Sequence, residues 1–454
     1  MSYQSINPYN GNILKTFENH SDKQIESALA AAATCFESWR YTTFAERAAV
    51  VAKAAAIMRV RIDEFARLAT LEMGKLIGEA RDEVTLSADI LDYYAINAEE
   101  FLAPQHLKAS AGEAVVESCP FGILFGIQPW NFPYYQLARF AAPSLMAGNV
   151  VVVKHAGGVP QCATAFEMLW REAGAPAGAY TNLRISHEQV NRVIDDPRIR
   201  GVALTGSVEA GKIVAARAGL NLKKSTMELG GSDAFIVLED ADLDKTVKWA
   251  VRSKMNNMGQ CCDAPKRFIV IEELAGRFLD KLQIALTAFQ PGDPMDEATT
   301  LGPMSSEAAL LKLLDQIEQA IANGATLAMG GNRLARPGAF MQPTILTNIQ
   351  PDNPAFREEF FGPVALFFRV KNEDEAVTLA NDSEFGLGGA VFTLDVARGK
   401  RVASRMDTGM VFVNHATGST PDLPFGGIKN SGYGRELSSV GIQEFVNKKL
   451  VRVA

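Results

Sequence analysis

The chain has 454 residues, 47% of them hydrophobic and 21% charged, with a formal net charge of −7. That length is too great for one core, so two or three domains are expected, and the acidic balance with no block of like charge disfavours a nucleic-acid partner. Five cysteines do not make a disulfide framework, no run of about 18 uncharged apolar residues offers a membrane span, and the polar start Met1 to Asn10 lacks an apolar signal core, all of which point to a reducing cytoplasm.

In chain order, Ala-rich amphipathic spacing predicts helices over Ile25–Trp39, Phe44–Met73 and Glu79–Phe101, with Gly74 as the stop of the second. Short strands follow at Val115–Val116 and Ile123–Phe125, around Pro120. From about residue 136 the pattern alternates: helix Leu137–Met146, strand Val150–Val153, helix Ala163–Glu172, strand Gly201–Leu204, helix Gly211–Ala218. Fully apolar strands separated by helices predict a parallel sheet covered on both faces, an arrangement that binds nucleotides at the carboxyl ends of its strands. After Gly230-Gly231 a second alternating set begins with Phe235–Leu238, helix Leu243–Met255, strand Phe268–Ile271 and helix Leu274–Leu286. Strands Val364–Phe368, Ala390–Phe392 and Met410–Val413 complete it, and a domain boundary is placed near 229–231. The tail Phe445–Val453 is extended and partly apolar; it suits either a partner subunit's sheet or its own domain.

Several short constellations can carry chemistry. Cys261 and Cys262 follow Met258-Gly259-Gln260 at a turn; a thiolate there forms covalent adducts with carbonyl carbons, whereas a buried pair would only pack. Glu228, amid apolar residues before Gly230-Gly231, suits a general base with a raised pKa, or a helix or backbone cap. Asn131, bracketed in Pro129-Trp130-Asn131-Phe132-Pro133, can donate to an oxyanion or merely shape a turn. Thr205-Gly206-Ser207 opens a helix after a strand, suiting a pyrophosphate or a simple helix cap. Lys154 ends the strand Val150–Val153, where a ribose or phosphate would sit unless it is only solvated. Glu359 and Phe361 lie in a carboxylate-then-aromatic loop. His20, His106, His155, His187 and His415 show no metal-ligand spacing, and no metal is expected.

These motifs in this order resemble the aldehyde dehydrogenase superfamily. Pro-Trp-Asn-Phe-Pro at 129–133, Lys154, Thr-Gly-Ser at 205–207, Glu-Leu-Gly-Gly at 228–231, Gly-Gln-Cys-Cys at 259–262 and Glu-Phe-Phe-Gly-Pro at 359–363 all match. So do Pro424-Phe425-Gly426-Gly427 and Ser431-Gly432-Tyr433-Gly434-Arg435-Glu436. The resemblance implies an α/β fold with two doubly wound parallel-sheet domains and a small β oligomerisation arm. The cofactor domain would comprise 1–102 and 119–229, the catalytic domain 230–435, and the arm 103–118 and 436–454. It implies Cys262 as nucleophile, Glu228 as base and Asn131 as oxyanion donor. Lys154 and Glu359 would hold ribose, Ser207 the pyrophosphate, Phe361 would lie beside the nicotinamide ribose, and Trp130, Gly157, Thr205 and Gly206 would also line the cofactor site. A homodimer or homotetramer is implied.

Within the family the chain is similar to bacterial succinate-semialdehyde dehydrogenases. Arg139, eight residues after Asn131, and Ser419 and Thr420, before Pro424, fall where those enzymes hold the substrate carboxylate; a helix-surface salt bridge is the other reading of Arg139. Where many carry a second arginine, six residues before the nucleophile, this chain has Asn256. Gly157 stands where NAD-preferring members often have glutamate, so NADP as well as NAD is expected, with His155 assisting a 2′-phosphate. Other semialdehydes, a broad aldehyde range, release to coenzyme A, and a non-catalytic binding role on the same fold are the alternatives. Cys261 either forms a redox pair with Cys262 or only packs.

Overall fold

The computed structural model describes residues 3–453; residues 1, 2 and 454, at the ends of the expected domains, lie outside the described residues. Helices Asp22–Trp39 and Phe44–Val60 each open on a reciprocal cap, Ser21 with Gln24 and Thr43 with Glu46, which satisfies two otherwise unpaired amides at each start. The expected single helix Phe44–Met73 is two helices, Phe44–Val60 and Ile62–Met73, separated at Arg61 (φ −108°, ψ 29°). Both halves bury their apolar stripe against the long helix Ile77–Phe101, so the periodicity runs across the break without registering it. Gly74, at φ 78°, ends the second half in a left-handed cap, as the sequence predicts.

The first sheet has six strands in the order Gly432–Tyr433, Lys224–Glu228, Ile199–Thr205, Ile123–Gln128, Val150–His155, Tyr180–Asn182, and only Gly432–Tyr433 runs antiparallel. The second has seven, in the order Thr326–Met329, Thr344–Thr347, Val364–Val370, Pro265–Ile271, Asp233–Val237, Gly389–Phe392, Phe412–Val413, parallel except for its first pair. Each sheet sits in its own hydrophobic core. The chain leaves the first sheet at Glu228 and enters the second at Asp233, across Gly230-Gly231. It later returns, so that Gly432 and Tyr433 pair with Glu228 and Met227.

A third, three-stranded antiparallel sheet contains Gln105–Leu107, Glu113–Pro120 and Val446–Val453. The tail pairs within its own chain, from Val446 opposite Pro120 to Val453 opposite Glu113. Among the described residues no helix is long and apolar enough to cross a membrane.

This topology places the functional motifs. Gln128, His155, Thr205 and Glu228 end strands of the first sheet, while Asp233, Pro265, Val364 and Gly389 begin strands of the second. The motif loops therefore collect between the carboxyl edge of one sheet and the amino edge of the other, the position where an open parallel sheet leaves a crevice.

Candidate active site

The loop bearing Cys262 is wound against its natural preference. After helix Leu243–Met255, three successive residues are left-handed: Asn257 (φ 50°), Met258 (φ 56°) and Gly259 (φ 70°). Each non-glycine residue there costs on the order of 1 kcal/mol or more, so the surroundings must hold it. They do. The Asn257 N–H donates to Glu79 at 3.0 Å, Asn257 Nδ2 to the Asn131 carbonyl at 2.9 Å, and Gln260 Nε2 to the Asn257 carbonyl at 3.0 Å. At Gly259 a Cβ would lie 2.2 Å from the Gly362 carbonyl oxygen, so no side chain fits.

Cys262 is half-buried and Cys261 buried. The Cys261 thiol donates weakly to the Asn256 carbonyl at 3.5 Å, and burial raises its pKa, both of which favour a packing role. Burial also pushes the Cys262 thiol well up, with Asp263 and Glu228 adding to the shift and Arg139 and Lys266 opposing it. Cys262 therefore needs its proton removed before it can attack.

Asn131 is buried and its amide is oriented from both ends. Nδ2 donates to the Gln260 carbonyl at 3.0 Å, and Gln136 Nε2 donates to Oδ1 at 2.9 Å. The following turn is clamped by Glu83, whose carboxylate accepts the Tyr134 and Tyr135 N–H groups at 2.7 and 3.1 Å and pairs with Lys75. The Lys75 ammonium lies 3.6 Å from the centroid of the Phe132 ring.

Glu228, the last residue of its strand, is 4% exposed, and its Oε1 has no hydrogen-bond partner among the described residues. Burial pushes its pKa up to about 8, helped by the nearby Glu436 and Asp263 and opposed by Arg139. Oε2 lies 3.5 Å from Arg139 Nη2. A buried carboxyl with an unoccupied oxygen is equipped to take a proton.

Arg139 is 1% exposed, which removes the surface salt-bridge reading. Its guanidinium pairs with Glu436, donates to Thr205 Oγ1 at 3.1 Å and to Tyr135 Oη at 3.0 Å, and lies between the Tyr135 and Phe425 rings. Tyr135 Oη in turn donates to Ser419 Oγ at 2.8 Å. Arg139 thus acts on Ser419 through a tyrosine, and Thr205 turns its hydroxyl to Arg139. Thr420 is exposed beside Ser419.

The second half of the motif set lines the other side of the crevice. Lys154 Nζ reaches the His155 carbonyl at 3.3 Å and lies 5.7 Å from the Tyr3 ring. His155 is a correction to the sequence reading. It is 1% exposed, with Nε2 donating to the Pro133 carbonyl at 2.9 Å and Nδ1 accepting the Ala156 N–H at 2.9 Å, and burial lowers its pKa to about 4. A neutral ring so engaged cannot reach a phosphate. Gly157 and Gly158 are exposed; Gly158 has open space over it, and a Cβ on Gly157 would be in ordinary contact with the Tyr3 ring at 4.0 Å. Gly206 donates its N–H to the Glu228 carbonyl at 2.9 Å, and exposed Ser207 caps helix Val208–Leu220 by accepting the Ala210 N–H at 3.2 Å.

Glu359 Oε1 accepts the Gly231 N–H at 3.0 Å and lies 3.5 Å from Lys266 Nζ; a Cβ on Gly230 would meet Glu359 Oε2 at 2.4 Å, which is why glycine stands there. Phe361 meets Trp130 edge to face at 5.8 Å. These residues fit a dinucleotide: an open helix start for pyrophosphate, Lys154 and a partly exposed Glu359 for ribose hydroxyls, and an aromatic wall.

Sequence reasoning passed over Tyr135, Gln136, Glu83 and Lys266. Glu436 lay inside a matched motif but received no role. Only Glu436 carried a visible signal; Glu83 acts across 51 and 52 positions, and Tyr135, Gln136 and Lys266 reach residues four or five positions away through loop and turn geometry that has no periodic pattern.

The chain matches the model of the Aldehyde dehydrogenase family over residues 1–451. It is 51% identical over 450 residues to the NADP(+) succinate-semialdehyde dehydrogenase of Deinococcus radiodurans, covering 99% of this chain and 94% of that protein. A probable NADP(+) succinate-semialdehyde dehydrogenase of Synechocystis sp. is 45% identical, covering 100% of both. The crystal structure of succinic semialdehyde dehydrogenase from Streptococcus pyogenes in complex with NADP+ superposes with a TM-score of 0.98 at 46% identity, covering 99% of each chain.

Proposed function

The chain belongs to the aldehyde dehydrogenase family and is an oxidoreductase acting on aldehydes; from that premise we propose that it oxidises succinate semialdehyde to succinate with NADP or NAD. Its relatives from Deinococcus radiodurans and Streptococcus pyogenes support NADP as acceptor, and the uncharged, exposed Gly157 leaves a 2′-phosphate unopposed.

Cys262, its thiol proton released to solvent, bonds through Sγ to the aldehyde carbon. The carbonyl electron pair moves to oxygen, where Asn131 Nδ2 and the Cys262 N–H stabilise it. A nicotinamide held beside Trp130 and Phe361 would supply the hydride acceptor for that carbon, leaving a thioester on Cys262. Glu228 then takes a proton from water, water oxygen bonds to the acyl carbon, the carbon–sulfur bond breaks, and the acid leaves. Lys154 and Glu359 would hold ribose, Ser207 and Gly206 the pyrophosphate, and Trp130 and Phe361 would face the nicotinamide end.

The observation that carries the substrate reading is the buried chain from Arg139 through Tyr135 to Ser419. It places cationic character behind a hydroxyl, and with Thr420 beside it this suits a substrate carboxylate. The same geometry favours a second reading, a broader aldehyde range, because the Arg139 guanidinium is already paired with Glu436. Cofactor reduction with succinate semialdehyde, glutarate semialdehyde and propanal distinguishes them. Preference for the first, lost in Arg139→Ala, supports the proposal; equal rates on propanal, indifferent to Arg139, overturn it.

The enzyme acts in the cytoplasm as a homodimer or homotetramer. Exposed Leu107, Leu450 and Val453 on the three-stranded sheet support self-association there. A monomer in light scattering at assay concentration overturns the oligomer.

A further inference from the structure

Lys266 is the second residue of strand Pro265–Ile271 and is wholly buried. A buried ammonium needs strong acceptors. This one donates to the carbonyl oxygens of Cys261 at 2.7 Å and Cys262 at 2.5 Å, and lies 3.5 Å from Glu359 Oε1. In a trans peptide the C=O and the N–H of the next residue point to opposite edges. Pinning the Cys261 carbonyl therefore turns the Cys262 N–H away from the ammonium. Among the described residues no protein group accepts that N–H. Gly231 completes the cluster: its N–H donates to Glu359, and a Cβ there would lie 2.6 Å from the Cys262 carbonyl oxygen.

We propose that Lys266 is a positioning residue that fixes the Cys261–Cys262 peptide with the Cys262 N–H presented to the reacting oxygen, and that Glu359, its carboxylate partner, couples this setting to the cofactor ribose site. The proposal rests on Cys262 being the nucleophile, but on no particular aldehyde. A ribose hydroxyl donating to Glu359 competes for the carboxylate that tempers Lys266, so the cation acts more fully on Cys262 when the cofactor site is filled. This gives the nucleophile an electrostatic report of cofactor occupancy through four residues.

Two readouts test it, neither dependent on substrate choice. The first is the rate and pH profile of Cys262 alkylation by iodoacetamide in the free enzyme, read by peptide mass. The second is the pre-steady-state burst of reduced cofactor. Lys266→Met is expected to slow the burst about 10²-fold, the size of a lost oxyanion donor. It also shifts the alkylation profile to higher pH, and Lys266→Arg restores part of both. Glu359→Gln is expected to shift the alkylation profile of the cofactor-free enzyme to lower pH. A folded Lys266→Met enzyme with parental burst and alkylation overturns the positioning role. If Lys266→Met does not fold, Glu359→Gln carries the test, and an unmoved alkylation profile there overturns the coupling. Failure of the parent to oxidise succinate semialdehyde would overturn the substrate reading alone.

Discussion

Replacing Glu228 by glutamine separates two effects of one buried carboxyl. Its pKa rises from 4.5 to about 8, chiefly by burial. That corresponds to roughly 5 kcal/mol of disfavoured ionisation. The sign for stability follows from proton binding. Between pH 4.5 and 8 the unfolded chain has released this proton while the folded chain retains it, so folding loses stability as pH rises through that window, and above it the loss is complete. Glutamine removes the penalty. Glu228→Gln is expected to melt at the parental temperature near pH 4 and above it at pH 9, by an amount up to that bound. For turnover the sign is opposite, because only the ionised form takes a proton from water. Where thioester hydrolysis limits, the parent rate is expected to fall about tenfold per pH below about 8. Glu228→Gln is expected to give a burst of reduced cofactor and then a steady state about 10²–10⁴-fold slower. A normal steady state after the burst, or a parent profile flat from pH 6 to 9, would refute the assignment.

Three further outcomes follow from the same site. Arg139→Met leaves Glu228 and Glu436 buried without their cation, so stability at pH 9 should drop by about 3–5 kcal/mol in denaturant unfolding, and the turnover profile should move to higher pH. Asn131→Ala should slow the burst by roughly 10²–10³-fold with little change in the cofactor KM, since its Nδ2 is a proposed oxyanion donor. Gly157→Glu should raise the KM for NADP at least about tenfold while sparing NAD, because like charges oppose in an exposed position with room for the side chain; equal effects on both cofactors would remove Gly157 from the ribose site.

Much of this protein was legible in one dimension. Apolar runs such as Val150–Val153 read as buried parallel strands because burial on both faces leaves no alternation, and helix Leu243–Met255 was read to its residue. Short strands such as Tyr180–Asn182 and Thr344–Thr347 escaped, since three or four residues carry too little pattern to register. The motif residues Cys262, Glu228, Asn131, Lys154 and Glu359 stood out because their neighbours are glycine, proline and aromatics, residues that announce constrained backbone. What the sequence alone determined was the inventory of reactive groups and the alternation that builds two parallel sheets. Only the tertiary structure decided the environment of each group. Arg139 lies between two carboxylates from strands and loops far along the chain, His155 is sealed between the Pro133 carbonyl and the Ala156 N–H, and Lys266 holds the peptide of the cysteine pair. Protonation state, orientation and charge balance depend on which distant residues share a site, and that is set when the carboxyl edge of one sheet meets the amino edge of the other.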